Sequence, residues 1–179
     1  MDEVADMLEA AILVIFPFCM LFAAISDVVS MTIANRVSVL LVAAFMVLAP
    51  LTGMEWSVYG MHLAGGAAVL AVTFAMFAIG GMGGGDAKLM AATAMWMGFG
   101  ILLLEYLVLG AVFGGMLTLA ILKFRNSPAS TLAFQNIFLR HFADHKAGIP
   151  YGVALGVAGL IVYPETPLMK WALAHLAGI

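Results

Sequence analysis

The sequence predicts an all-α protein, a polytopic membrane helix bundle, and three observations point to it. Hydrophobic residues make up 65% of the chain and charged residues 9%, against roughly 45 to 50% and roughly 25% in soluble domains. Mean hydropathy is +1.13. Apolar runs recur along the whole length, at 8–25, 37–50, 58–79, 89–97, 101–122 and 149–163, with Gly, Pro or charge between them. A helix needs about 20 apolar residues to cross roughly 30 Å of hydrocarbon, so the length allows about six transmembrane segments in one membrane-embedded domain over 1–179, without a separate soluble domain.

The first run follows an acidic stretch, Asp2, Glu3, Asp6 and Glu9, and is long enough to span. A secretory signal would begin with basic residues and end in a small-residue cleavage pattern, so this run is expected to stay as a membrane helix. The second, fourth and sixth runs are short. The fourth is barely half a bilayer, as expected of a helix buried in a bundle or facing a water-filled cavity. One substantial loop, 124–148, holds Arg125, Arg140, His141, Asp144, His145 and Lys146, and its 131–142 stretch reads as an amphipathic surface helix. The end, 167–179, reads as a second interfacial helix.

Scattered Lys and Arg exclude a nucleic-acid footprint. Cys19, the single cysteine, lies in the first run, where it has a packing role and no partner for a disulfide or zinc cluster. His141 and His145 stand four apart without an evident third ligand, so a solvated face is the simpler reading and no metal or other cofactor is called for.

Three acidic residues, Asp27, Asp86 and Glu105, are set in or against apolar segments. An ionisable group at a helix centre in a membrane costs about 2.5 to 3.5 kcal/mol on insertion scales, less near the interface, and calls for a partner or a function. Glu105 falls near the outer end of its segment beside Tyr106 and reads as structural or interfacial. His62, also toward the outer face, reads as a satisfied polar group between helices. Asp27 and Asp86, by contrast, fall at one depth on one side. Taken singly, each is explained by capping a helix, a role worth about 1 kcal/mol; two at the same depth are harder to explain that way. Carboxylates held close cannot both ionise easily and share a proton, one serving as base toward water and the other as acid. Asp86 closes a glycine-rich stretch at 80–85. Glycine reaches positive φ and admits a close backbone, so Gly83, Gly84 and Gly85 are candidates for positioning a substrate strand. Lys88 is a weaker candidate, two positions beyond Asp86.

Gly83-Gly84-Gly85-Asp86 matches the GxGD signature of intramembrane aspartic proteases, and the continuation Ala87-Lys88-Leu89 resembles the GxGDxKL form of type IV prepilin leader peptidases. Asp27, followed by Ile33 and Asn35, resembles the first aspartate motif of that family, with Ala34 where many relatives have Pro. The resemblance spans essentially the whole chain and is closest to the short CpaA or TadV type that processes Flp/Tad pilins. It implies Asp27 and Asp86 as catalytic residues, Asn35 as a weaker positioning residue, and a prepilin substrate cut on the cytoplasmic side after the glycine that precedes its hydrophobic stem. The partners are then the prepilin leader and stem and membrane lipid; a homo-oligomer is compatible with the sequence. Larger relatives also methylate the new amino terminus and carry an extra cytoplasmic region with a four-cysteine zinc site. This sequence has neither, which implies a peptidase alone. Two rival readings use the same acids: an ion-coupled transporter, or a non-enzymatic pilus or secretion subunit.

Orientation follows from the positive residues. If six segments alternate, Arg36, Lys88, Lys123, Arg125, Arg140 and Lys146 share one side and only Lys170 lies opposite. Positive loops stay in the cytoplasm, so both termini are expected in the periplasm of a bacterial inner-membrane protein, with both aspartates toward the cytoplasm. A reporter fused after Arg125 should read cytoplasmic and one fused near Thr52 periplasmic. The reverse pattern would place the aspartates on the wrong face for a prepilin.

Overall fold

A computed structural model of the chain describes residues 2–128, 143–144 and 148–178, and every regular element among them is helical. The helices are α1 (Asp2–Ser30), α2 (Asn35–Leu51), α3 (Trp56–Ala78), α4 (Gly84–Met97), α5 (Ile101–Arg125), α6 (Tyr151–Val162) and, after a 3₁₀ turn at Tyr163–Glu165, α7 (Pro167–Leu176). The all-α class read from composition is the class observed.

The apolar runs locate the helices but misplace some of their ends. α1 begins at Asp2, about two turns before the hydropathy rises. Carboxylates in the first turns interact favourably with the positive end of a helix dipole, so an acidic stretch extends a helix that hydropathy alone would start later. α4 begins at Gly84 and not at 89. Two glycines in a first turn read as loop because they weaken helix interiors, yet the turn forms here, with Gly83 as N-cap in extended conformation.

Among the described residues, Glu3–Ser30, Trp56–Ala78 and Ile101–Arg125 are long and apolar enough to cross a membrane. Tyr151–Glu165 and Pro167–Leu176 meet the same test as a pair bent by 54°, which makes four. α2 has 17 residues and α4 has 14, or about 25 and 21 Å at 1.5 Å per residue, short of the roughly 30 Å of hydrocarbon. By length and composition alone, three helices, or four with the bent pair, pass as crossings; α2 and α4 fall below that length, and the six crossings read from the runs are not established by it. The helix expected at 167–179 is present as α7, which packs on α1 with Leu168 and Ala172 buried. The surface helix expected at 131–142, and His141 and His145 with it, lie outside the described residues.

α4 is the hub of the bundle. It packs against α2, α3, α5 and α6, and Leu89, Thr93, Ala94 and Trp96 are sealed from the surface. The end of the bundle at which α4 finishes is locked by aromatic side chains whose polar tips are satisfied. The Trp96 indole N–H donates to the Leu41 carbonyl at 3.0 Å, the Tyr163 hydroxyl donates to the Ile12 carbonyl at 2.6 Å, and Phe16 stacks on Tyr163 with ring centroids 4.1 Å apart. His62 bonds the Met95 carbonyl through Nδ1 at 2.8 Å and stacks on Phe45, a satisfied position between α3 and α4. Cys19 is buried, and Glu105 is exposed on α5.

α1 and α6 approach closely because α6 presents glycines. A Cβ at Gly156 would lie 2.9 Å from the Met20 carbonyl oxygen, and one at Gly159 would lie 3.1 Å from Met20 Sδ. Packing, rather than the hydrophobic effect, drives helix association in lipid, and small residues permit it. Gly156→Ala should therefore lower stability by about 1 to 3 kcal/mol, as overpacking does. Gly60→Ala, where a Cβ meets nothing within 4 Å, should not. Thermal unfolding of both variants in detergent checks this; equal stability would contradict the packing.

Candidate active site

Asp27 lies in the last turn of α1, with 5% of its surface exposed. Its Oδ2 accepts a hydrogen bond from the Gly152 N–H at 2.7 Å. That N–H belongs to the first turn of α6, where the backbone donors have no partner within the helix. Pro150 at the N-cap offers no side-chain cap, so the carboxylate of α1 performs across the bundle what a capping side chain does locally. A glycine is required there: a Cβ at 152 would lie 2.9 Å from Asp27 Oδ2 and 2.9 Å from Ile33 Cδ1.

The chain leaves α1 through Met31, which has φ 52° and is the one non-glycine residue at positive φ among those described. Its N–H donates to the Asp27 carbonyl at 2.8 Å, the single bond of a left-handed helix terminus normally supplied by glycine. A bulky residue in this conformation stores about 1 to 3 kcal/mol, and such strain clusters at functional sites.

Asp86 sits in the first turn of α4, which no side chain caps. The preceding glycines serve different purposes. Positive φ falls at Gly80, not at 83–85; the latter three are needed for space. A Cβ at Gly83 would lie 2.7 Å from Asp86 Oδ2, one at Gly84 would lie 3.1 Å from the Phe77 ring, and one at Gly85 would lie 3.2 Å from Ile33 Cβ. Ile33 thus touches both Gly85 beside Asp86 and Gly152 beside Asp27, and gathers the ends of α1, α4 and α6 at one point.

Asp27 and Asp86 line one cavity of about 650 Å³, within the range of small-ligand sites. Met31, Gly83, Tyr151 and Gly110 share its wall. Gly148, also in the wall, is tethered by Arg125, whose guanidinium donates to its carbonyl at 3.0 Å. The Tyr151 hydroxyl lies 3.2 Å from Thr118 Oγ1, and its ring fills the space left by the absent side chain of Gly114.

The candidate positioning residues divide. Gly83 lines the cavity, while Gly84 and Gly85 pack against Phe77 and Ile33. Lys88 and Asn35 face elsewhere: Lys88 Nζ donates to Asn35 Oδ1 at 2.9 Å, and both line a separate cavity between α2 and α3. Sequence reasoning did not find Met31, Tyr151 or Gly152. Among the described residues no three His, Cys, Asp or Glu side chains come together as a metal-binding group.

Two carboxylates opening on one cavity, one of them fixed by a backbone N–H, are suited to general acid–base work on a bound water. The sequence pattern of the type IV leader peptidase family matches residues 14–122, a stretch that contains both aspartates. Neither the curated proteins nor the solved structures compared with the chain give a match.

Gly152→Ala should displace Asp27 and lower stability by about 1 to 3 kcal/mol, whereas Gly115→Ala, with nothing within 4 Å of a Cβ, should be neutral. Unfolding in detergent distinguishes the two; a neutral Gly152→Ala would show that the α6 terminus does not depend on Asp27.

Proposed function

We propose, from the premise that this chain belongs to the type IV leader peptidase family, that it removes the leader of Flp/Tad prepilins as an aspartic endopeptidase with Asp27 and Asp86 as its catalytic pair. The observation that carries this reading is that two acids 59 positions apart in the chain line a single cavity. A capping role for both would not require that meeting.

Water enters between the carboxyls. One, ionised, takes a proton from the water as its oxygen attacks the scissile carbonyl carbon; the other, protonated, gives its proton to the carbonyl oxygen. The tetrahedral diol then collapses. The C–N bond breaks, the amine leaves with a proton from the dyad, and the leader departs with a new carboxyl group, so no covalent enzyme intermediate forms. The dyad titrates as a unit. Gly83 leaves room for a substrate backbone beside Asp86. Asn35 and Lys88, bonded to each other outside the cavity, support the junction of α2 and α4, and through it the first turn that holds Asp86.

The same proposal makes the chain one embedded domain of a bacterial inner membrane, with the cavity toward the cytoplasm and both termini in the periplasm, and gives it peptidase activity without methylation. The positive residues support the orientation when α2 and α4 cross with the longer helices, as the six apolar runs suggest. The absence from this sequence of the four-cysteine region found in methylating relatives supports the single activity.

Asp27→Asn and Asp86→Asn keep size and remove the acid–base group. Each should abolish leader cleavage when the chain is co-expressed with small prepilins of its own genome, read by gel shift and mass, at unchanged membrane abundance. Because the pair acts as one unit, the double variant should be no worse than either single. Glu105→Gln and His62→Gln should retain cleavage. Near-normal processing by either Asp variant would return the transporter and subunit readings to the front.

A further inference from the structure

α4 is flanked by two grooves that face the surrounding membrane. One, of about 590 Å³, lies between α3 and α5; the other, of about 740 Å³, lies between α2 and α3. The first exists because α3 and α5 both pack on α4 but scarcely on each other. Its floor is apolar, with Val69 and Leu103 buried and Val72 and Leu104 exposed at its rims. Its one polar side chain, Thr73, is satisfied, donating to the Val69 carbonyl at 2.8 Å. The two grooves differ in where they lead. Met76, Met82, Met90 and Leu107 line both the α3/α5 groove and the aspartate cavity. No residue is common to the α2/α3 groove and that cavity.

We infer that the α3/α5 groove is the docking site for the apolar helical stem of the substrate, which runs from the aspartates toward the outer face; this rests on the peptidase reading above. The scissile bond must lie at Asp27 and Asp86, and for an apolar stem that begins there this groove is a continuous apolar path away from them. The length fits. From Gly100, the N-cap of α5, to Gly115, the residues that bound the combined groove and cavity along α5, the helix advances about 22 Å at 1.5 Å per residue, enough for about four turns of a bound helix. The chemistry fits as well. In lipid an apolar helix gains nothing from the hydrophobic effect by entering a groove, so it must gain from packing. Ala68 and Gly100 in the groove wall allow close approach, and the three methionines at the junction offer unbranched, adaptable side chains to stems of differing shape.

The test pairs substitutions on the two grooves, using the full chain in proteoliposomes and a small prepilin of the same genome with glycine before its stem. Ala68 lines the α3/α5 groove and Ala67 the α2/α3 groove, and both are exposed, so tryptophan at either fills a groove without entering the core. Ala68→Trp should slow cleavage at least tenfold, chiefly through KM, and Ala67→Trp should not. A photo-crosslinking residue at Val72 or Leu104 should capture the prepilin, and one at Val39 or Met46 should not. Cleavage by the wild type with equal effects of the two tryptophans, or adducts from Val72 and Leu104 to lipid or a second copy alone, would overturn the docking site and leave the peptidase reading standing. A wild type that cuts no prepilin would remove that reading and this inference together.

Discussion

The bond from the Gly152 N–H to Asp27 Oδ2 joins two parts of the chain that share nothing in sequence, and the site depends on it. It sets the amino terminus of α6 against the carboxyl terminus of α1 and leaves Asp27 aimed at the space between them. It also demands the glycine at 152, the tight exit from α1 through Met31, and the fit of Ile33 between Gly152 and Gly85. A carboxylate withdrawn from water among apolar helices must find a compensating partner. Here the partner is a helix end that itself lacks one.

The architecture around this contact is firm at one end and open at the other. Away from the aspartates, Trp96, Phe16, Tyr163 and Phe45 interlock, and their polar atoms reach backbone carbonyls. Toward the aspartates, glycine lines the cavity at 83, 110, 115 and 148, and at 85 and 152 it makes room for Ile33 and Asp27. A rigid aromatic end holds α1, α2, α4 and α6 in register, so the acidic end stays open without the bundle collapsing onto it. This division suits the proposed chemistry, in which water and a peptide backbone meet two acids, since precise placement of reacting groups comes from the elements that carry them.

Much of this was legible in the sequence. The apolar runs gave the class and most of the helices, because burial in lipid demands long apolar segments. The aspartates stood out because charge in such segments is costly. The extension of α1 to Asp2 was not legible, since hydropathy does not register the favourable placement of carboxylates at a helix amino terminus. The start of α4 at Gly84 was hidden by glycines that read as loop. The partner of Asp27 was beyond reach: Gly152 lies 125 residues away, carries no side chain to mark it, and acts through its backbone. Met31 gave no signal either, because the left-handed position it occupies is one for which sequence favours glycine. Lys88 and Asn35 show the converse, since their place in the two aspartate motifs suggested the site, and the fold turns both to the groove between α2 and α3.

The central claim is that the two aspartates share one proton and act as a single acid–base pair on water. The most direct measurement is the pH dependence of kcat/KM for prepilin cleavage in proteoliposomes, since that quantity reports the ionisations of the free enzyme. With both carboxyls protonated there is no base, and with both ionised there is no acid, so the account predicts a bell-shaped profile that falls on both sides of its maximum, with its two limbs belonging to the pair. A profile with a single limb, flat on the other side through the range in which the protein stays folded, would contradict it.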